Sequence, residues 1–369
     1  MLLLALIAAA LAPGTWIRTP IINGFDRPIT LEKVEEPGEA PPPGWALEGV
    51  WEYDGEGRFF GGFSAMIALG PDKLRAFSDR GARFTLVEPD RPQRDYLIGQ
   101  SARRPRSLTY QVVGEAYGLL LWDIESATRN PQTGQYWLGY EYIHAIHRFA
   151  VTSEVDGVRV IQDEVDWSDN SGAEAMVRLR DGRFVVIREI GSEALVYPDD
   201  PITGAEPQSW TYVSPLSGFA VTDAKELPDG RLLLLLRAVA WDVPPFEARL
   251  AIADIQARGE ARGTVPQIAP KLALDLTAVA PRENYEGLAV RARKDGALDI
   301  WVISDDNFSI LQRTLLVKLR LDPSALAGAP DTALDTTPDT ALDSGASAPA
   351  DPPPETATQK AREEPRAPF

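Results

Sequence analysis

The sequence predicts an all-β fold in which similar units close into a ring, and three observations carry that expectation. First, one pattern repeats five times between residues 46 and 321: a short apolar stretch with a polar residue near its start, a turn, then a very apolar strand ending in a charge. Second, the polar residues in register, Ser64, Glu125, Glu174, Asp223 and Glu286, are separated by 61, 49, 49 and 63 positions. Third, long helical patterns are missing, since no stretch keeps apolar positions at helical spacing over about a dozen residues. A period of about 50 to 60 with about four strands per unit is that of β-propeller blades.

Taken in chain order, Leu2–Ala12 contains no polar residue. Eleven residues rise about 16 Å as a helix, short of the roughly 30 Å of a bilayer core, so no transmembrane span is expected. The run fits the apolar part of an export signal, with Ala8-Ala9-Ala10 as the cleavage site. The alternative is a buried N-terminal strand or helix. On the first reading the protein is exported, to the periplasm or the medium. Residues 13–45 form an N-terminal extension before the repeats begin.

Within 46–321 the inner segments begin at Gly62-Phe-Ser-Ala-Met66, Asp123-Ile-Glu-Ser-Ala127, Ser171-Gly-Ala-Glu-Ala175, Val221-Thr-Asp-Ala-Lys225 and Asn284-Tyr-Glu-Gly-Leu288. Their second strands are Leu74–Asp79, Gln135–Glu141, Arg183–Glu189, Arg231–Arg237 and Leu298–Asp305. Thr133-Gly134, Asp181-Gly182, Asp229-Gly230 and Asp295-Gly296 supply tight hairpins between them. The last unit reads as three strands ending with Leu315–Leu321, and the N-terminal strand Ala46–Tyr53 completes it and closes the ring. That makes five blades. A sixth stays open, hidden in Ile29–Val34 or in residues 242–283. Residues 322–369 are rich in Ala, Pro, Thr and Asp and repeat Pro-Asp-Thr-Ala-Leu-Asp. They read as a disordered acidic tail, too poor in apolar surface to offset the entropy of ordering.

Composition narrows the chemistry. The chain has 369 residues, no cysteine, two histidines and a formal charge of -17. Disulfides, thiolate nucleophiles and Cys-ligated zinc are excluded. The acid excess disfavours nucleic acid as a partner. His144 and His147 lie three apart, so on a strand they face opposite sides and serve surface or packing roles. Gly62-Phe-Ser-Ala-Met66 departs from the nucleophile elbow at its last position, which argues against a Ser-His-Asp hydrolase. No Walker A or dinucleotide fingerprint is found.

In a propeller the first strand of each blade lines the central channel, so Glu125, Glu174, Asp223 and Glu286 are expected to converge there, with Ser64 in the fifth place. Carboxylates so placed repel one another unless a cation or shared protons intervene. Hard oxygen donors select calcium or magnesium, and calcium suits a wide ring. These four acids are the candidate metal ligands and catalytic groups, with Asn170, Asn284, Asp305, Asp306 and Asn307 as nearby oxygen donors. The competing reading has the acids bonding backbone amides at the channel mouth. Arg80, Arg188 and Arg237, at the ends of second strands, are candidate binders of a phosphate or carboxylate, or partners for the neighbouring acids.

Several of these motifs occur together and in order: Gly61-Gly-Phe-Ser64, Ala76-Phe-Ser-Asp-Arg-Gly81, Asp123-Ile-Glu125, Gly172-Ala-Glu174 with Ile187-Arg-Glu189, Val221-Thr-Asp223, and Asn284-Tyr-Glu-Gly287 with Val302-Ile-Ser-Asp-Asp-Asn307. The set resembles the phytase-like domain family, labelled "esterase-like activity of phytase", over roughly residues 45–321. The resemblance implies a propeller fold and a link to calcium-dependent phosphoesterases, found in exported bacterial proteins. Two functions from different classes are therefore expected. One is an exported calcium-dependent hydrolase of phosphate esters, other esters or lactones, acting as a monomer on a small molecule. The other is a non-catalytic propeller that binds a ligand or an envelope protein.

Overall fold

A computed structural model describes residues 30–323 apart from 37, 55–59, 91–107, 110–117, 120–122, 142, 163, 166, 168–171 and 256–264. Contacts divide the chain into Met1–Pro330 and Asp331–Phe369, and everything described lies in the first unit. The apolar N-terminal run, Asn170 and residues 324–369 of the acidic tail fall outside the described residues.

Five sheets make the architecture. The N-terminal strands β1 (Thr30–Lys33) and β2 (Trp45–Asp54) precede blade 1, formed by β3 (Phe63–Leu69), β4 (Lys73–Ser78) and β5 (Arg83–Val87). A small two-stranded ribbon, β6 (Leu108–Thr109) and β7 (Gly118–Leu119), follows. Blade 2 holds β8 (Ile124–Arg129), β9 (Tyr136–Tyr140), β10 (Ala145–Phe149) and β11 (Val155–Val160). Blade 3 holds β12 (Ala173–Arg178), β13 (Phe184–Arg188), β14 (Glu193–Tyr197) and β15 (Gln208–Tyr212). Blade 4 is β16 (Ala220–Glu226), β17 (Leu232–Val239), β18 (Phe246–Ala253) and, after the short β19 (Gln267–Ile268), β20 (Lys271–Asp275). Blade 5 is β21 (Tyr285–Ala292), β22 (Leu298–Ser304) and β23 (Thr314–Leu321).

The inner strands β3, β8, β12, β16 and β21 each pack against the next, and β21 returns against β3, so the ring closes with five blades. Closure comes as the sequence predicts: β2 pairs antiparallel with β23, from Trp45 opposite Leu321 to Tyr53 opposite Thr314. Residues 242–283 supply the outer strands of blade 4 and, through β19, a parallel edge on blade 3, rather than a sixth blade. The segment around Ile29–Val34 contributes β1, a fifth strand at the rim of blade 5, so the propeller starts upstream of residue 46.

The core explains why so many strands read as continuous apolar runs. Both faces of each blade are buried between neighbours, so alternation with polar residues is lost. In β17 the run Leu232–Leu236 splits by parity: Leu232, Leu234 and Leu236 pack with blade 3, whereas Leu233 and Leu235 pack with blade 5. Five such clusters fill the five spaces between blades. Hairpin turns at the far end follow their sequence signals, with Asp181 and Asp229 accepting from the amides of Arg183 and Arg231. Both histidines are core residues: His144 meets the edge of Trp167, and His147 packs on Tyr140. Burial lowers the His147 pKa to about 3, so it is neutral.

Candidate functional site: an acid mouth at the channel

Each inner strand carries one irregularity in the same place. Pairing with the second strand skips Ser64, Glu125, Glu174, Thr222 and Glu286, leaving one extra residue on the inner strand of every blade. Such bulges re-aim a side chain and are common beside functional sites. Here they turn the start of each inner strand toward the channel mouth, where the second strands also end. Glu125, Glu174 and Glu286 stand where the repeat predicts.

Blade 4 departs from that register by one residue. Thr222 occupies the bulge, and its hydroxyl lies 3.4 Å from the carbonyls of Leu235 and Tyr285. Asp223 sits one position deeper, fully buried. Its carboxylate accepts from the Leu288 amide at 2.8 Å and the Ala224 amide at 2.7 Å, and pairs with Lys225. Lys225 in turn donates to the Ala127 carbonyl of blade 2 at 3.1 Å, crossing the channel beneath the mouth. Burial raises the Asp223 pKa to about 6, and the Lys225 charge opposes that rise. Asp223 thus bonds backbone amides, as the competing reading of the ring expects for all four acids. Ser64 also turns its hydroxyl to a neighbouring blade, donating to the Ile124 carbonyl.

Other carboxylates crowd the mouth in place of Asp223. Oxygen atoms of Asp123, Glu125 and Glu141 lie within 4.8 Å of one another, and so do those of Glu141, Glu174 and Glu189. Glu141 belongs to both groups. It directly follows β9, the second strand of blade 2, and lies beside Glu174 of blade 3 because Gly172 allows close approach: a Cβ there would lie 2.6 Å from the Glu141 Cα. Asp123, Glu141 and Glu189 share a different signal along the chain, namely an acid just before an inner strand or just after a second strand.

From Glu189 the network continues through Arg237, which donates to Glu189 at 3.0 Å, to the Asn284 side chain at 2.7 Å and to Glu286. Asn284 donates to Glu286 at 2.9 Å and lies 3.5 Å from Asp305. Arg237 therefore spans blades 3, 4 and 5 as a partner of acids. Arg80 lies with its guanidinium carbon 3.2 Å from the Phe308 ring centre, and Arg188 lies 5.9 Å from that of Trp167. Asp306 accepts from the amides of Gly62 and Phe308, each at 2.9 Å, and so fixes loops of blades 1 and 5. The Asn307 amide group donates to Gln312.

Crowding and burial act in one direction on these acids. Burial, with Glu174, Glu286, Asp123 and Glu141 nearby, pushes Glu125 well above the usual carboxylate range. Glu174 is pushed up in the same way by burial and then by Glu189, Glu141 and Glu286. Burial and the charges of Asp123 and Glu189 raise Glu141 to about 7. Asp79 also rises to about 7 through burial, with Arg80 opposing and Glu286 adding. Asp305 is raised by burial, Glu286 and Asp79. Backbone strain gathers here as well: Asp123, Asn307 and Phe308 hold φ of 69°, 48° and 51°. An aromatic residue at positive φ is a genuine outlier, of the kind that clusters at functional sites.

The donor set fits a hard cation. Glu174 is 8% exposed, and no hydrogen-bond donor among the described residues satisfies its carboxylate. Two adjoining groups of carboxylate oxygens with no nitrogen or sulfur ligand match calcium or magnesium chemistry. A cavity of about 690 Å³ at the opposite end, lined by Glu48, Asp90, Arg291, Arg293, Asp299 and Lys318 among others, offers a weaker case. Lys318 pairs there with Asp90, Glu48 and Asp299, and Arg291 and Arg293 also reach Asp299, so its charges neutralise one another.

The family model described as "Phytase-like: Esterase-like activity of phytase" matches residues 58–308. No curated protein matches. Among solved structures, a streptogramin B lyase is 10% identical, with 80% of this chain and 98% of that chain covered at a TM-score of 0.35. The WD40 propeller domain of Doa1 is 14% identical, with 75% and 97% covered at 0.35. A luciferin-regenerating enzyme is 14% identical, with 55% and 76% covered at 0.28. Likeness at this level carries no functional argument.

Proposed function

The chain belongs to the phytase-like family, and on that premise we propose that it is a calcium-dependent hydrolase of phosphate esters or other esters, working at the acid mouth of its propeller. The observation that carries this reading is Glu141, shared between two groups of carboxylates and set beside Glu174, which is 8% exposed and meets no hydrogen-bond donor among the described residues. Glu125, Glu141 and Glu174, with Asp123 and Glu189, would hold the cation. Calcium bound there supplies positive charge that neutralises the acids and polarises a phosphoryl or carbonyl oxygen.

The chain's own residues divide the remaining work. Arg237 fixes Glu189 and Glu286 from one side. Asp79, whose pKa stands at about 7, is the candidate general base, because a base works best when its pKa lies near the working pH. Arg80 lies beside it, and its charge opposes that rise. Lys225, bonded to Asp223 and to the Ala127 carbonyl, spans the channel from blade 4 to blade 2 beneath these groups. The apolar run Leu2–Ala12 supports export, where calcium is plentiful.

A calcium titration by calorimetry, joined to hydrolysis assays on phosphate esters, carboxylic esters and lactones with and without chelator, tests the proposal. Calcium binding and chelator-sensitive turnover are expected, with Glu174→Gln lowering both by about 10- to 100-fold. Calcium binding without turnover on any of these substrates would assign the protein to the binding-module class instead. Absence of calcium binding would overturn the cation site itself.

A further inference from the structure

The mouth is acid at its centre and apolar at its rim. Of the ten large apolar side chains exposed among the described residues, six stand at the mouth ends of blades 3, 4 and 5: Val239 at the end of β17, and Ile190, Trp241, Val243, Ile310 and Leu311 on the loops. Hairpins at the opposite end of the same blades carry Asp181, Asp229 and Asp295 instead. Exposure is high, at 80% for Trp241 and 79% for Val243. Most of the exposed large apolar side chains thus fall at the end of the blades that carries the acids.

These loops are held in place. Asp242 pairs with Arg282 at 3.2 Å, and Arg282 also donates to the Phe246 carbonyl at 2.9 Å. The Ala240 amide donates to the Pro245 carbonyl at 2.9 Å, closing the hairpin under Trp241. The loop of Ile310 and Leu311 continues directly from Asp305 and Asp306, and the bond from Asn307 to Gln312 spans it at 2.9 Å. The Trp241 loop and the Ile310–Leu311 loop are thus each held by their own bonds, and an apolar group bound there loses little to ordering of the protein.

We propose that the rim receives the apolar body of the substrate, so that the substrate is an acyl or aryl ester with a single polar head directed to the mouth. The proposal rests on the cation reading of that mouth. Charge supports it. Asp79, Asp123, Glu125, Glu141, Glu174, Glu189, Glu286, Asp305 and Asp306 face three arginines, an excess that one or two divalent cations reduce without making the mouth a receptor for polyanions.

The test uses the full chain and straight-chain carboxylates from acetate to octanoate as probes, with calcium binding measured first. In the calcium-loaded protein, affinity is expected to climb about threefold per added methylene. Trp241→Ala and Ile310→Ser are each expected to flatten that slope while leaving acetate and calcium affinity unchanged. A flat slope in the unaltered protein, or an unaltered slope in both variants, overturns the proposal. If calcium does not bind but the slope persists without it, the rim assignment stands and the cation reading fails.

Discussion

Glu174 and Asp223 look equivalent in the repeat, yet one faces the mouth and the other the interior. The difference is a single bulge position. Asp223 meets two amides and a buried ammonium, so Asp223→Asn leaves Lys225 without its charge partner and is expected to cost about 3 kcal/mol in urea unfolding. Calcium affinity should stay within about twofold of the parent. Glu174→Gln should do the reverse, weakening calcium while removing a repulsive charge. Equal loss of calcium affinity in the two variants would return Asp223 to the site. Sequence register finds Glu125, Glu174 and Glu286 because the acid and the bulge coincide there. It misplaces Asp223 because a bulge is a property of strand pairing and leaves no mark of its own in Val221-Thr-Asp223.

At the scale of elements, the site depends on how closely one blade's inner strand approaches the preceding blade's second strand. Gly172 sets that distance, since its missing side chain admits the Glu141 backbone. Gly172→Ala must push β12 away from Glu141, at about 1 to 3 kcal/mol for overpacking. A several-fold loss of calcium affinity should accompany it, read by calorimetry beside thermal unfolding. Stability loss with calcium affinity intact would show that Glu141 is not a shared ligand. Strands and hairpins were legible because their signals are local: Asp-Gly turns and long apolar runs. Asp123, Glu141 and Glu189 were not, because each gains meaning only from a neighbour in another strand or blade.

Across the whole molecule, the crowded acids link stability to pH and, through the proposed cation site, to calcium. Glu141 and Asp79 have folded pKa values raised to about 7, above their usual range. Their contribution is fully present below the unfolded carboxylate pKa and is lost as pH rises through about 7. The calcium-free protein is therefore expected to melt at a lower temperature at pH 8 than at pH 5.5, and calcium should raise the melting temperature more at pH 8. Asp299 works the other way: hydrogen bonds from Arg291 and the charges of Lys318 and Arg293 outweigh burial and lower its pKa, so its share fades in acid. Scanning calorimetry at the two pH values, with and without calcium, checks the sign. A calcium effect independent of pH would mean that the titrating acids are not the ligands.

The sequence by itself determined the family, the five-fold repeat and the strand that closes it, because apolar runs, turn residues and motif order are written along the chain. It also placed three acids at the channel. Only the tertiary structure decided which carboxylates meet, that Arg237 is engaged by acids of blades 3 and 5, and that Lys225 reaches across the channel to blade 2. Those facts depend on bulges and on blades packing side by side, which bring together residues far apart in the chain.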